Sequence, residues 1–267
     1  MAQDPLLNIA VSAARNAGRI IMRYADRVDS LTINTKQRND FVSEVDVQAE
    51  QAIISTILKA YPYHGILGEE SGSQNDDADV IWIIDPLDGT TNYLRGFPHY
   101  AVSIAAKVKG KLAHAVVYDP SREEMFVASR GAGARLNDRR LRVTPRTDIT
   151  DAFLGTGFPF RNEKHLNEYL AMFKDIYERC SEVRRAGCAA LDLAYVAAGR
   201  LDGFWEIGLK PWDWAGGALL VREAGGMIGD FTGGEGYWRS GNIVAGAPRL
   251  FADLVKTIQP HLTEGLR

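Results

Sequence analysis

The hydrophobic residues of this chain recur with two different spacings, and the change of spacing limits the folds that the chain can adopt. Over residues 7–21 and 49–58 apolar side chains recur every three or four positions, which predicts two amphipathic helices packed through small residues. The second helix is expected to begin near Ser43. The polar segment between the helices, which contains Lys36 and Asp40, is predicted to be a loop.

From about residue 65 the pattern becomes one of short runs rich in β-branched residues, which indicates strands. Strands that follow one another without intervening helices, with a turn at Lys109 and Gly110, predict a largely antiparallel sheet. The predicted strands lie at residues 66–67, 80–84, 100–108 and 112–118.

After about residue 150 apolar runs alternate with helical stretches, which is typical of an α/β arrangement. The predicted helices lie at 164–176, 189–198, 214–224 and from about 250, with strands near 153, 183, 203–206, 227–228 and 243–245. We therefore predict two closely docked halves, an α+β half over residues 1–149 that holds the main metal motifs and an α/β half over residues 150–267 that completes the site.

The composition excludes several classes of protein. The chain has 267 residues, 46% hydrophobic and 24% charged, which is ordinary for globular proteins and excludes disordered, collagen-like and coiled-coil chains. Its net charge of −3 excludes a strongly basic nucleic-acid coat. Two cysteines without a CxxC pattern support neither a disulfide framework nor a structural zinc site. We expect a cytoplasmic protein, because neither a signal-peptide pattern nor a membrane-spanning apolar run is present.

The densest chemical signal lies between Trp82 and Asn92. An apolar strand ends in Asp85 and Asp88, and Gly89 and Thr90 then open a turn that leads into a helix. Glycine lets a ligand approach the main chain closely. Carboxylate oxygens can hold a hard cation, and N–H groups at a helix start can hold an oxyanion. Taken alone, the pattern is equally compatible with a capped, solvated turn.

Further acids at strand ends and helix starts favour a cation site over simple capping. Glu69 and Glu70 follow another short strand, and Asp213 opens a later helix. If these acids converge with the aspartates of the first motif, each pair would repel by roughly 4 kcal/mol at 4 Å and an effective dielectric constant near 20. Because all the candidate ligands are oxygens, Mg²⁺ is the expected ion.

Two long motifs in this order resemble those of the inositol monophosphatase family, and most closely its bacterial SuhB-type members. The first motif runs from Trp82 to Asn92, and the second from Trp212 to Ala218 and on to Glu223–Gly226. The resemblance covers essentially the whole chain. It implies a layered αβαβα sandwich that combines α+β and α/β organisation. It also implies a magnesium-dependent phosphatase that uses a metal-activated water, is inhibited by lithium and forms a homodimer.

The resemblance also implies roles for individual residues. Glu69, Asp85 and the Leu87 carbonyl would hold one Mg²⁺, and Asp85, Asp88 and Asp213 a second; a third, weaker ion would use Glu69 and water. Thr90, oriented by Asp46, would position the attacking water, with Glu70 as a helper.

The substrate would be inositol 1-phosphate or a related sugar-alcohol monophosphate. Asp88, Gly89, Thr90 and Asp213 would contact it near the ions, while backbone atoms of Gly187 and Ala189 and the carboxylate of Glu206 would contact the ring. Cys188 departs from the family, which often has Thr or Ser there. Lys36 would neutralise charge near Asp40.

Three other functions stay open at this point. An aspartyl-phosphate phosphatase would use a nucleophilic carboxylate, although its acids are usually two positions apart. Phosphatases for nucleotide bisphosphates or fructose bisphosphate share the first motif. By resemblance to bacterial relatives, the chain could instead serve transcription antitermination with RNA polymerase and Nus factors. An arginine-rich stretch over residues 135–146 would suit RNA or an acidic protein, although a solvated face is the simpler interpretation.

Overall fold

The computed structural model describes residues 4–30, 33–37, 40–159 and 163–267. The helices are α1 Pro5–Tyr24, α2 Glu44–Ala60, α3 Thr90–Leu94, α4 Leu166–Tyr177, α5 Ala189–Ala197, α6 Pro211–Glu223, α7 Tyr237–Ser240 and α8 Pro248–Ile258. The strands are β1 Ile33–Gln37, β2 Asp40–Ser43, β3 Gly65–Gly68, β4 Gly72–Gln74, β5 Val80–Asp88, β6 Ala101–Val108, β7 Lys111–Asp119, β8 Glu124–Ser129, β9 Gly133–Leu136, β10 Arg139–Arg140, β11 Phe153–Thr156, β12 Glu182–Arg184, β13 Gly203–Glu206, β14 Met227–Gly229 and β15 Ile243–Gly246. Within the described residues, no helix combines the length and the apolar character that a bilayer crossing requires.

Helices α1 and α2 form the first layer, as their spacing predicts. Helix α1 begins where the Asp4 carboxylate accepts a hydrogen bond from the Leu6 N–H (2.8 Å), with proline at its first position. Helix α2 begins at a capping box, in which Ser43 and Asp46 satisfy each other's backbone N–H groups. The buried faces of both helices pack on the first sheet.

The first sheet has the strand order β10-β9-β8-β7-β6-β5-β3-β4. Strand β3 runs parallel to β5, and the other neighbours are antiparallel. Alternate residues of β5 face opposite layers: Ile84 packs with α1 and α2, whereas Ile83 packs with α5 and α6. Because helices cover both faces, the strand is apolar almost throughout.

The second sheet has the strand order β12-β11-β13-β15-β14, with β11 parallel to β12 and to β13. Phe204 of β13 faces α5 and α6, and its neighbour Trp205 faces α4 and α8. The layers therefore follow one another as helices, sheet, helices, sheet and helices. This arrangement confirms the expected αβαβα sandwich. The division at residue 149 stays a prediction.

The segment before α2 differs from the predicted polar loop. Strands β1 and β2 pair antiparallel, with Ile33 opposite Ser43 and a register shift after Thr35. A two-stranded ribbon is held by its backbone hydrogen bonds, so it needs no alternation of polar and apolar residues, and hydrophobic patterning missed it. Helices α6 and α8 also begin earlier than predicted, at Pro211 and Pro248, because proline suits the first position of a helix.

Candidate active site

Three acidic segments meet where strands β3 and β5 of the first sheet end. Parallel strands β3 and β5 end side by side, and the Glu69 N–H donates to the Ile84 carbonyl (3.1 Å). Asp85 follows Ile84 and pairs with Ser103 of β6. The Ser103 hydroxyl donates to the Trp212 carbonyl (3.3 Å), which holds the start of α6, and therefore Asp213, against the same strand ends.

Asp85 is the most buried acid of this group, with 1% of its surface exposed. Burial raises the pKa of Asp85 well above its ordinary value, and the charges of Glu69, Asp88 and Asp213 raise it further. Such effects require the four carboxylates to lie close together. Their mutual repulsion would be relieved by a cation, so the negative charge and the oxygen donors fit a hard divalent ion.

The oxygen donors of these carboxylates suit a hard divalent ion, but the side chains are not arranged as a complete set of ligands. In the part of the chain that the structure describes, no three His, Cys, Asp or Glu side chains form a ready-made ion cage. Asp85 forms a hydrogen bond with Glu69, and its Oδ1 accepts from the Leu87 N–H (3.0 Å).

Thr90 and Asp46 form a hydrogen-bonded pair beside this cluster. The Thr90 hydroxyl lies 2.9 Å from Asp46 Oδ1 and 3.0 Å from the Leu87 carbonyl, and its single proton serves one acceptor at a time. Asp46 Oδ2 accepts from the Ser43 N–H (2.9 Å) and hydroxyl (2.6 Å). Burial raises the pKa of Asp46, although these donors oppose the rise. Asp46 lies in the first turn of α2, within the helix that the sequence predicted to begin near Ser43.

Gly89 permits the turn that presents Thr90. Its φ of +90° is left-handed, and a Cβ at this position would lie 2.9 Å from the His99 carbonyl. Any larger residue would therefore meet both backbone strain and a backbone clash.

The start of α5 faces the same cavity. The Ala190 N–H donates to Asp88 Oδ2 (2.7 Å), so a residue 102 positions away fixes one candidate ligand. The Asn92 amide donates to the carbonyls of Ala186 (2.8 Å) and Gly187 (3.3 Å). These contacts hold the loop before α5 against α3.

Glu206 and Phe158 line the same cavity from the second sheet. Parallel strands β11 and β13 end side by side, so Glu206, the last residue of β13, meets the loop after β11. A Cβ on Gly157 would lie 2.1 Å from the Glu206 carboxyl carbon, so only glycine lets this buried carboxylate lie flat on the backbone.

These elements enclose a cavity of about 380 Å³. Residues that the sequence predicted line it: Glu69, Asp85, Leu87, Asp88, Gly89, Thr90, Gly187, Ala189, Glu206 and Asp213. The remaining lining residues carry no role predicted from the sequence: Thr91, Asn92, Gly157, Phe158, Arg185, Cys188 and Leu209. Gly157 and Phe158 directly follow a predicted strand, as the acids Glu69 and Asp85 do, so their position could have marked them. Nothing in the sequence singles out Arg185.

Four other predicted residues do not line the cavity. Asp46 acts through Thr90, and the Glu70 N–H donates to Glu50 Oε1 (3.0 Å), a buried carboxylate that sequence reasoning missed. Lys36 and Asp40 lie in β1 and β2, and their side chains fall outside the described part of the structure. The roles of all the predicted residues stay predictions.

Known proteins resemble the chain along its whole length. It matches the inositol monophosphatase family over residues 2–263. It is 55% identical over 269 residues to the Nus factor SuhB of Pseudomonas aeruginosa, covering 99% of each chain, and 52% identical over 264 residues to that of Escherichia coli K12, covering 98% of this chain and 99% of the relative.

Solved structures of proteins from the same family also resemble this chain. The extragenic suppressor protein suhB of Bartonella henselae superposes with a TM-score of 0.94 at 43% identity, covering 97% of this chain and 100% of the other. The inositol monophosphatase of Anabaena superposes with a TM-score of 0.86 at 34% identity, covering 96% and 95%. With its layered fold and its acidic cavity, the chain belongs to the inositol monophosphatase family.

Proposed function

We propose that the chain is a magnesium-dependent, lithium-sensitive phosphatase for inositol 1-phosphate and related sugar-alcohol monophosphates. One observation carries the proposal: a single cavity is lined both by the clustered carboxylates and by the hydroxyl-binding candidate Glu206, the last residue of β13. The family is one of metal-dependent phosphatases.

Two or three Mg²⁺ ions would occupy the acidic end. Glu69, Asp85 and the Leu87 carbonyl would hold one ion, Asp85, Asp88 and Asp213 a second, and Glu69 with water a weaker third. Bound Mg²⁺ supplies the positive charge that a phosphate ester, with about two negative charges, needs before water can attack it, and it lowers the pKa of water.

The residues of the chain would orient the reactants. When Thr90 donates its proton to Asp46, its oxygen lone pairs are left to accept a hydrogen bond from the attacking water. Glu70 would assist from the adjacent loop. Asp88, Gly89 and Asp213 would contact the ester, and Gly187, Ala189 and Glu206 would bind the hydroxyl groups of the ring. Water attacks phosphorus directly in this scheme, so no covalent enzyme intermediate forms.

Phosphate release over a panel of substrates tests the proposal. Inositol 1-phosphate, fructose 1,6-bisphosphate and a nucleotide bisphosphate are compared with and without Mg²⁺ and Li⁺, in the parent protein and in Asp213→Asn. Asparagine keeps an oxygen to accept the Lys210 N–H (2.7 Å) that caps α6, so the fold should persist while the charge is lost. Release that survives EDTA, or that is equal in the variant, would refute the proposal. Phosphate trapped on Asp85 would favour the aspartyl-phosphate alternative instead.

A second candidate function is that of a Nus factor acting with RNA polymerase in transcription antitermination. Two observations favour it: curated relatives at 55% and 52% identity bear the name Nus factor SuhB, and the first sheet ends in a basic edge. Arg135, Arg139, Arg140 and Arg142 are exposed in and beside β9 and β10. Arg146 is instead half-buried, with its Nε 3.7 Å from Asp202 Oδ2.

Binding measurements separate the two functions. RNA polymerase, Nus factors and RNA are each titrated with the parent, with Asp88→Asn and with a variant carrying Arg139→Gln and Arg140→Gln, at physiological salt. A variant carrying Arg15→Gln and Arg19→Gln, at two exposed arginines of α1, is the matched control. Binding that persists in Asp88→Asn but falls in the double variant would support a separate regulatory surface. Absence of binding to every partner would exclude this function.

The homodimer and the cytoplasmic location belong to the same proposal, by likeness to the family and to these relatives. Sedimentation velocity over a range of protein concentrations tests the dimer, and fractionation of the source cell tests the location.

A further inference from the structure

Arg185 brings a positive charge into an otherwise acidic or neutral cavity. It lies in the loop between β12 and α5, and among the described lining residues it is the permanently charged cation. Its guanidinium stands over the ring of Phe158, with 5.6 Å from Cζ to the ring centroid. Its Nη1 also lies 3.0 Å from the place that a Cβ on Gly187 would take, so the side chain crosses the loop at the cavity mouth.

Arg185 and its neighbour Arg184 are held differently. Arg184 Nη1 lies 3.3 Å from Glu182 Oε1, and its guanidinium stacks on Phe153 at 4.9 Å. Both arginines are exposed, but among the described residues no carboxylate forms an ion pair with Arg185. Arg185 is therefore available to an anion that enters the cavity.

Arg185 lies on the same side of the cavity as Glu206, because its guanidinium stands over Phe158 and the neighbouring Gly157 lies against the Glu206 carboxylate. Burial raises the pKa of Tyr169 to about 12, with Glu206 adding to the rise and Arg185 opposing it. Both charges must therefore act on the same hydroxyl. A ligand whose ester phosphate reaches the acidic cluster would place its far end between an acceptor of hydroxyl groups and a cation.

We propose that Arg185, oriented by Phe158, is a subsite for a second anionic group on the substrate. This inference rests on the proposed phosphatase function and adds to its substrate class phosphate monoesters that carry a second phosphate or a carboxylate, which should be preferred over inositol 1-phosphate. The planar guanidinium can donate two parallel hydrogen bonds to such a group, and stacking on Phe158 fixes its plane. One charge-assisted pair of this kind corresponds to a preference of about tenfold or more.

Steady-state kinetics with a matched pair of compounds test the subsite. Inositol 1-phosphate and inositol 1,4-bisphosphate are compared in the parent, in Arg185→Gln and in the control Arg184→Gln. We expect the parent and the control to favour the bisphosphate in kcat/KM by about tenfold, mainly through KM, and Arg185→Gln to lose that ratio. No preference in the parent, or equal loss in both variants, would overturn the subsite.

Calorimetric binding of the same two compounds in Mg²⁺ separates this inference from the proposed function. If neither compound is hydrolysed, the phosphatase proposal fails, while tighter binding of the bisphosphate that depends on Arg185 still supports the subsite. If inositol 1-phosphate is hydrolysed but both compounds bind equally, the phosphatase proposal stands and the subsite is wrong.

Discussion

Replacing Thr90 by valine tests the proposed water-orienting pair most directly. Valine keeps the shape of threonine but removes the hydroxyl that lies 2.9 Å from Asp46 Oδ1. A group that positions the attacking water in this way contributes about a hundredfold to turnover, or about 2.7 kcal/mol of activation free energy. The loss of one hydrogen bond to a buried carboxylate should lower the unfolding free energy by about 1 kcal/mol. Catalysis should therefore suffer much more than stability.

Two further variants serve as controls for Thr90→Val. Thr90→Ser keeps the hydroxyl and should keep most of the turnover. Ser43→Ala removes the side-chain donor to Asp46 Oδ2 and the cap of α2, at a cost of about 1 kcal/mol, but leaves the Thr90 contact and the Ser43 N–H in place.

The assay combines phosphate release at saturating inositol 1-phosphate with urea unfolding of each variant. We expect Thr90→Val and Ser43→Ala to lose similar stability, and Thr90→Val alone to lose turnover. If the two variants were equally active with intact folds, Thr90 would not orient the water.

Three other predictions concern the acidic cluster and the core. Asp88→Asn should lower turnover by at least about a hundredfold, the scale of losing one charge-stabilising group, and near-normal phosphate release from the folded variant would remove Asp88 from the mechanism. Because burial and its acidic neighbours raise the pKa of Asp85, the folded protein keeps a proton that the unfolded chain releases; without divalent ions, the unfolding free energy should fall as the pH rises from about 4 through the raised pKa. Urea unfolding in EDTA at a series of pH values should show that the unfolding free energy of Asp85→Asn falls less steeply with pH than that of the parent. An equally steep fall in the variant would contradict this reasoning. Gly217→Ala should cost about 1–3 kcal/mol of unfolding free energy, because the new methyl would lie 2.4 Å from the Leu193 Cβ where α5 meets α6; unchanged thermal unfolding would show that these helices can separate freely.

Local sequence patterns predicted most of the elements. The three-to-four spacing indicated α1 and α2, and the apolar runs placed β5, β6 and β7. The ribbon of β1 and β2 escaped prediction because its stability comes from pairing between backbones, which leaves no apolar pattern.

The candidate site was predictable where a strand end carries its own signal. Glu69 and Asp85 each follow an apolar run, and Asp213 opens a helix, so their residue types and positions are enough to suggest a cation site. Glu50 lies in the middle of α2 and Arg185 in a short polar loop, where the pattern is the same as that of a solvated surface. Only packing decided that one is buried and that the other lines the cavity.

The sequence by itself determined the chemistry available to this protein, because the choice of oxygen donors, hydroxyl groups and glycines is written in the side chains. The tertiary structure decided which of those groups meet. Asp88 receives its hydrogen bond from Ala190, 102 positions away, because α5 is packed between the two sheets. Contacts of that sequence separation depend on how whole layers dock, and no local pattern contains that information.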